Sequence, residues 1–383
     1  MIVYKLVKEP GKPLYENLYE NLRRDILAGR LPTGTRLPSK REMASVNNIS
    51  LTTVINAYAQ LVMEGYIVSE ERKGYFVADI RAMPGVRPVT SKFASRYYTE
   101  DEWFADFRSN NTLYQQFPFA SWKKVIRKVI SEYHIELVER GYPFGIEFLR
   151  TQIADYLYRV RGISVSPECV IIGAGIEYLY ARLITLFPRA TIYAVENPGY
   201  QKISQIYESY NLRWKGVEMA ESGISIKDLR VKDVTIAHVS PEHHYPLGIM
   251  MPAEHRQELL EWAEEDDERY IIEDDYDCEF RYNSKPVPAL KSLDAHGKVI
   301  YMNTFSKTLS PAVRISYMVL PEKLMKRYIL RTHFFTNSTS SLEQYALAHF
   351  ISEGNFERHL NKIRKLYRQE GEQLMRALRQ NPD

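Results

Sequence analysis

The sequence predicts two domains of different fold class, an α+β domain at the N-terminus and a larger α/β domain after it. The chain has 383 residues, which is too long for one ordinary domain. Residues 1–80 contain three helical patterns and then a hairpin pattern, whereas short apolar runs alternate with amphipathic stretches from residue 102 to residue 383. Residues 81–101, rich in proline and scattered charge, predict a linker between them.

The amino-acid composition limits the classes of protein to which the chain can belong. Hydrophobic residues make up 45% and charged residues 26%, which is typical of a globular protein. The net charge of +3 is too small to indicate nucleic-acid binding. No apolar run reaches a membrane-spanning length, the first ten residues lack a secretory pattern, and Cys169 and Cys278 have no metal-type or disulfide-type spacing. We therefore expect a cytoplasmic protein with no membrane span and no metal site.

The first domain begins with a one-faced apolar pattern between Pro13 and Ala28, which predicts a helix that ends at Gly29. Ser39 can cap a second, short helix that runs through Asn47.

Ser50 can cap a third helix, whose buried side is expected to include Val54 and Leu61. Two strand-like runs follow, Tyr66–Ser69 and Tyr75–Ala78. Three helices and a hairpin, in this order, predict a winged helix-turn-helix.

A domain of this kind places the start of its third helix in the major groove of double-stranded DNA. Short polar side chains there contact bases, and basic side chains around them contact phosphates. The alternative is a small helical packing domain whose charges are simply solvated. The candidate DNA-binding residues are Arg36, Ser39, Lys40, Arg41, Thr52, Thr53, Asn56, Lys73 and Gly74.

Six apolar runs predict a mostly parallel sheet that is buried on both faces in the second domain. They are Val170–Ile172, Thr191–Val195, Val234–Val239, Tyr270–Ile272, Val299–Met302 and Ile315–Leu320. Ligands of such sheets gather at the carboxyl ends of the strands.

Three motifs follow predicted strands. The glycine turn Gly173–Gly175 could hold a phosphate at a helix start, although a plain tight turn has the same pattern. The acidic run that begins at Asp274 suits a solvated loop, a metal or a cationic partner such as a protonated pyridine. Lys307 lies among hydroxyl residues with Arg314 seven residues later; such a lysine can form a Schiff base, but alone it is usually a surface residue.

Several motifs of the sequence resemble those of known protein families. The run Leu37–Ala44, Ser50 and the segment Lys73–Val77 resemble the GntR-type winged helix, with Leu51 where that family usually has arginine. Asp274–Tyr276 and Phe305–Leu309 with Arg314 resemble the MocR/GabR regulators, in which a GntR-type domain is fused to a fold-type-I, aminotransferase-like domain. The Gly-Ala-Gly turn and Arg314–Pro321 are most similar to the GabR branch.

The resemblance implies that pyridoxal 5'-phosphate binds the second domain. It implies an internal aldimine at Lys307, a pairing of Asp274 with the ring nitrogen, and a hydrogen bond from Tyr276 to the ring hydroxyl. Tyr200 is expected to stack on the ring, and His243 to lie beside the ring hydroxyl.

The resemblance also implies a phosphate site formed by Arg314, Ser306 and the backbone of Gly175 and Ile176. Ile176 replaces a common hydroxyl residue, so one hydrogen bond to the phosphate is expected to be lost. Lys202 stands where GabR-like proteins use arginine for an effector carboxylate, which removes the bidentate fork.

The implied function is that of a homodimeric transcription regulator. An amino-acid-like effector would displace Lys307 by external aldimine formation and change how the DNA-binding domains are held. Two alternatives remain open: an active aminotransferase with an incidental N-terminal domain, and a DNA-binding protein whose second domain no longer binds the cofactor.

A separate prediction concerns the C-terminal end of the chain. The family continues beyond the position that corresponds to Asp383, so the C-terminal small domain is expected to be incomplete. Apolar residues at helical spacing, Ile363, Leu366, Leu374 and Leu378, would then be left partly in water. A chain ending there is expected to associate more readily and to respond weakly to effectors.

Overall fold

The computed structural model describes residues 2–4, 6, 13–79, 116–280 and 288–380. The chain divides into two compact units, Met1–Phe104 and Ala105–Asp383. The linker predicted at residues 81–101 lies outside the described residues.

The first unit has three helices and a three-stranded antiparallel sheet with the strand order β1-β3-β2. The predicted helices and the hairpin are confirmed. The short strand β1 escapes sequence reasoning because two residues cannot show an alternating pattern. The elements are α1 (Leu14–Leu27), β1 (Arg36–Leu37), α2 (Lys40–Val46), α3 (Leu51–Met63), β2 (Ile67–Glu70) and β3 (Gly74–Val77).

Both predicted serine caps are present. The Ser39 hydroxyl accepts a hydrogen bond from the Glu42 N–H at 3.2 Å, and the Glu42 carboxylate accepts one from the Ser39 N–H at 3.3 Å. The Ser50 hydroxyl accepts from the Thr53 N–H at 3.1 Å. These bonds satisfy N–H groups that a helix start otherwise leaves unpaired, so they fix where α2 and α3 begin.

The second unit is an eight-stranded mixed sheet with helices on both faces. Its helices are α4 (Phe119–Glu132), α5 (Glu147–Arg161), α6 (Ile176–Ile184), α7 (Gln201–Ser209), α8 (Ile226–Val231), α9 (Ala253–Glu264), α10 (Leu290–Leu293), α11 (Glu322–Thr332), α12 (Ser341–Ser352) and α13 (Asn355–Gln380). Its strands are β4 (Val170–Gly173), β5 (Ile192–Asn197), β6 (Arg213–Ala220), β7 (Gly223–Ile224), β8 (Ile236–Val239), β9 (Tyr270–Asp274), β10 (Val299–Thr304) and β11 (Ser316–Val319).

The strand order is β4-β11-β10-β9-β8-β5-β6-β7, and the five strands from β10 to β6 are parallel. Strand β11 is antiparallel to both of its neighbours. The predicted mostly parallel sheet is therefore confirmed. Strand β6 was not predicted because its residues alternate with polar side chains and only Val217 is fully buried.

Alternation along the strands builds a core on each face of the sheet. Val170 and Ile172 of β4 pack into one cluster with α5 and α12, whereas Ile171 packs into another with α6 and α11. A strand that is buried on both faces needs apolar residues at every position, which is why the predicted runs are continuous.

Helix α13 joins the core at one end only. Ile363 is 3% exposed, whereas Leu374 and Leu378 are each 55% exposed. Among the described residues, no helix combines the length and apolar character needed to cross a membrane.

Candidate functional site

A cavity of about 220 Å³ opens at the carboxyl ends of the parallel strands. Strands β5, β8, β9 and β10 contribute residues at or beyond their ends, and α6 and α7 contribute their first turns. This is the edge of an open α/β sheet where ligands bind. The cavity brings together eight of the residues predicted for the site: Ile176, Tyr200, Lys202, Asp274, Tyr276, Ser306, Lys307 and Arg314.

Lys307 lies in the turn that follows β10 and is about half buried. Burial lowers the pKa of its amine, and Asp277 opposes this shift only in part. A lower pKa increases the fraction of uncharged amine, which is the nucleophilic form.

Asp274, the last residue of β9, and Asp275, which follows it, point in opposite directions. Asp274 faces the cavity, where its carboxylate accepts a hydrogen bond from the Tyr180 hydroxyl at 2.9 Å and lies 3.8 Å from the His238 ring. Asp275 is 1% exposed and contacts Arg161 at 2.9 Å and the Tyr301 hydroxyl at 2.6 Å. Successive side chains of an extended segment alternate, so only one of the pair can reach the cavity.

A buried ion network holds this segment in place. One guanidinium nitrogen of Arg161, in the last turn of α5, lies 2.9 Å from Glu242 and 2.9 Å from Asp275. Arg256 reaches Glu242 at 3.6 Å and donates to the carbonyl of Pro241 at 3.0 Å. The network joins α5, the end of β9 and the loop after β8, so the backbone that carries Asp274 is fixed from behind.

The start of α6 forms a close contact with Arg314. Gly175 has a φ of +91°, and a Cβ at this position would clash with a guanidinium nitrogen of Arg314. Only glycine allows this backbone and this approach. The helix start and the arginine therefore form one cationic cradle, which is the arrangement that suits a phosphate.

Glu177 bridges the two cations of this region. One of its carboxylate oxygens pairs with the amine of Lys202, and the other lies 2.8 Å from Arg314. Burial alone would raise the pKa of Glu177, but hydrogen bonds from Lys202, from its own backbone and from Arg314 lower it to about 2.

Tyr276, His243 and Tyr200 are the residues with ring side chains that were predicted for the site. The Tyr276 hydroxyl donates to the backbone carbonyl of His243 at 2.9 Å. The His243 ring stacks on Tyr276 and contacts Asp277 at 2.6 Å, which raises the pKa of His243. His243 does not belong to the lining of the cavity, whereas Tyr200 does and meets Tyr245 edge-on at 6.0 Å.

Sequence reasoning missed several residues of the cavity. His238 lies within the apolar run of β8 and bridges the hydroxyls of Tyr180 and Tyr207 at 3.2 and 3.0 Å. Burial raises the pKa of Glu196, at the end of β5, to about 8. One histidine within an otherwise apolar strand was the available signal, because a polar group in a buried strand needs a partner.

The predicted DNA-binding residues lie around the start of α3 and the hairpin. Thr52 and Asn56 are exposed, whereas the Thr53 hydroxyl lies 2.8 Å from the Ser50 hydroxyl within the cap. Arg36 and Arg41 are exposed.

Three more of the predicted DNA-binding residues make contacts within the first unit. The Lys40 amine lies 5.1 Å from the centre of the Tyr75 ring, and Lys73 pairs with Glu70 at 3.1 Å. Gly74 has a φ of +118° and lies next to the Arg36 side chain.

Within the described ranges, no group of three or more His, Cys, Asp or Glu side chains is placed to hold a metal ion.

Comparison with known families matches each unit separately. The model of the bacterial regulatory proteins of the gntR family matches residues 14–77, and that of aminotransferase class I and II matches residues 104–382.

Individual relatives extend over both units. The HTH-type transcriptional regulator YdeL of Bacillus subtilis is 40% identical over 93% of this chain and 77% of its own length. The probable rhizopine catabolism regulatory protein MocR of Rhizobium meliloti is 35% identical over 94% of this chain and 76% of its own length. The crystal structure of kynurenine aminotransferase from Pyrococcus horikoshii has a TM-score of 0.61 and 26% identity over 69% of this chain and 68% of its own length.

The buried ion network makes a prediction about stability. Arg161→Met should lower the free energy of unfolding by about 3–5 kcal/mol, because it leaves the buried carboxylate of Asp275 without its cation and Glu242 with Arg256 alone. Arg159→Met is the matched control in the same helix, since Arg159 is exposed and forms only a surface pair with Glu357 at 3.1 Å. Urea denaturation followed by circular dichroism measures both. Equal stability of the two variants would show that the network does not hold the site.

Proposed function

This chain belongs to the MocR-type transcription regulators, in which a GntR-type helix-turn-helix domain is fused to a fold-type-I aminotransferase domain, and we propose that it binds DNA and senses an amine through pyridoxal 5'-phosphate. One observation carries the proposal: Asp274, at the end of one strand, lines the same cavity as Lys307 and Arg314, which follow another strand. An amine, a carboxylate and a guanidinium group suit the aldehyde, the ring nitrogen and the phosphate of the cofactor, respectively.

The cavity suits the cofactor at its phosphate end. Arg314 and the start of α6 offer a cation and backbone N–H groups, and Gly175 leaves no side chain between them. Ser306 lines the same cavity. We assign phosphate binding to these residues and to the backbone of Ile176.

The other end of the cavity suits the pyridine ring. Bound pyridoxal phosphate supplies an aldehyde that bonds covalently to amines and a ring that withdraws electrons. Asp274 would accept a hydrogen bond from the protonated ring nitrogen, with Tyr180 orienting the carboxylate. Tyr276 would hydrogen-bond the ring hydroxyl, and Tyr200 would cover the ring face. Lys307, with its lowered pKa, would hold the aldehyde until an effector amine takes its place.

The first unit is proposed to read double-stranded DNA as part of a homodimer, with residues 1 to about 80 as the DNA-binding domain and residues 102–383 as the effector domain. Thr52 and Asn56 present short polar groups at the start of α3, where a helix-turn-helix contacts bases. Arg36, Lys40, Arg41 and Lys73 would contact phosphates.

An active aminotransferase is the second candidate, favoured by the similarity to the Pyrococcus enzyme. Catalysis has no use for a domain with two capped helices and an exposed polar turn, which is why regulation is the primary proposal. Release of a keto acid over many turnovers would favour the enzyme instead.

One prediction of the proposed function concerns the covalent bond to the cofactor. After incubation with pyridoxal phosphate, the protein should be yellow, and borohydride should fix the cofactor to the peptide that contains Lys307. Lys307→Ala should abolish the trapping, and Lys202→Ala, in the same cavity, should retain it. Mass spectrometry of the reduced peptides measures both variants, and trapping that persists in Lys307→Ala would contradict the assignment.

The next prediction distinguishes Asp274, the last residue of β9, from Asp275, which follows it. Asp274→Ala should weaken cofactor binding, because the ring nitrogen loses its carboxylate, and it should leave the melting temperature little changed. Asp275→Ala should lower the melting temperature instead, because Arg161 is left buried with one partner fewer. Spectral titration with pyridoxal phosphate and thermal denaturation provide the two readouts. Equal effects of both variants on cofactor affinity would contradict the opposite orientations.

DNA binding can be tested with two substitutions in the first unit. Arg41→Ala should weaken binding to all sequences and reduce the slope of log K against log salt by about 1, the value for one phosphate contact. Asn56→Ala should leave that slope unchanged and relax the sequence preference. Fluorescence anisotropy of the whole chain over a series of salt concentrations measures both effects. A salt slope that Arg41→Ala does not change would refute the phosphate contact.

A further inference from the structure

The Glu177 bridge determines how much positive charge the cavity can offer a ligand. Glu177 lies in the first turn of α6, Lys202 in the first turn of α7, and Arg314 after β10, and all three line the cavity. The two carboxylate oxygens are divided between the two cations, one for Lys202 and one for Arg314. With its pKa near 2, Glu177 stays ionised at neutral pH. The three side chains together therefore carry a single net positive charge.

In the proposed function, the phosphate of the cofactor would take up this single positive charge. If Arg314 binds the phosphate, Lys202 and Glu177 remain as an ion pair with no net charge. Lys307 is the third cationic side chain among the described residues of the lining, and it is the amine that reacts. Asp274 adds a negative charge. Among the described residues of the lining, each cation is therefore already paired or assigned to the phosphate or the reacting amine, and an anionic group on an incoming amine would have to compete for it.

We propose that Glu177 determines the effector class of this site, which accepts amines that carry no anionic group. The inference rests on the proposed function, since it concerns the ligand of the same cavity. A carboxylate on the effector would have to take Lys202 from Glu177 and leave a partly buried carboxylate without that partner. Selectivity commonly arises from such a penalty on the wrong ligand. An uncharged group or an ammonium group at the far end of the effector would not displace Lys202 from Glu177.

The test compares three amines of the same chain length: 1-aminopentane, 1,5-diaminopentane and 5-aminopentanoate. Each is titrated into the whole chain loaded with pyridoxal phosphate, and the change in the visible absorption spectrum gives the dissociation constant. The two amines without a carboxylate should bind the unmodified protein roughly tenfold more tightly than 5-aminopentanoate, the equivalent of one charge-assisted hydrogen bond.

Glu177→Gln should shift this ratio about tenfold toward 5-aminopentanoate, because the amide keeps the size of the side chain and leaves the charge of Lys202 available. Glu208→Gln is the control for charge, since Glu208 is exposed on α7 and does not line the cavity. In the double variant Glu177→Gln/Lys202→Met the shift should disappear, which a merely structural effect of Glu177→Gln would not explain.

Two results would overturn the inference: an unmodified protein that prefers 5-aminopentanoate, or a ratio that Glu177→Gln leaves unchanged. Failure of the proposed function would look different. The unmodified chain would then show no visible absorption band with pyridoxal phosphate and no cofactor trapped on Lys307, and the inference would fall with it.

Discussion

The buried contact between Arg161 and Asp275 is the constraint on which the site depends. An ion pair out of water is costly unless further polar groups support it, and this one is supported by Glu242 and by the Tyr301 hydroxyl. Its position decides the orientation of the strand end. With Asp275 held inside, the pleat of β9 leaves Asp274 facing the cavity, so a structural ion pair orients the carboxylate that we propose binds the cofactor.

The end of the cavity that lies at the start of α6 depends on both backbone geometry and charge. Gly175 lets Arg314 approach the start of α6, and Glu177 shares its two oxygens between Arg314 and Lys202. The cavity is therefore polarised, with a carboxylate at the end of β9 and a cationic cradle at the start of α6. That polarity matches a molecule with a basic ring nitrogen and an anionic phosphate, which is why the charges favour pyridoxal phosphate over a ligand with one kind of charge.

The features that local sequence determines could be predicted. Ser39 and Ser50 bond to backbone groups three residues away, so the starts of α2 and α3 follow from the sequence alone. The opposite orientations of Asp274 and Asp275 follow from the period of an extended chain. The same reasoning found the core strands, whose apolar runs are continuous.

Features that depend on distant contacts could not be predicted. The partners of His238 are Tyr180 and Tyr207, which lie 58 and 31 residues away, and Glu177 reaches Arg314 across 137 residues. Strand β6 is an amphipathic strand near the sheet edge, so it lacks the continuous apolar run of the core strands. The contacts of His243 are of the same kind: its ring stacks on Tyr276 and pairs with Asp277, which lie 33 and 34 residues away.

If the cavity controls the first unit, occupancy by an amine must change the affinity for DNA. The direct measurement is the dissociation constant of the whole chain, loaded with pyridoxal phosphate, for a DNA fragment selected from a random pool, with and without saturating 1-aminopentane. We expect the amine to change this constant at least about fivefold, the lower end of typical coupling between two sites, and to have no effect in Lys307→Ala. A DNA affinity that the amine leaves unchanged in the unmodified protein would contradict a sensing role for the cavity.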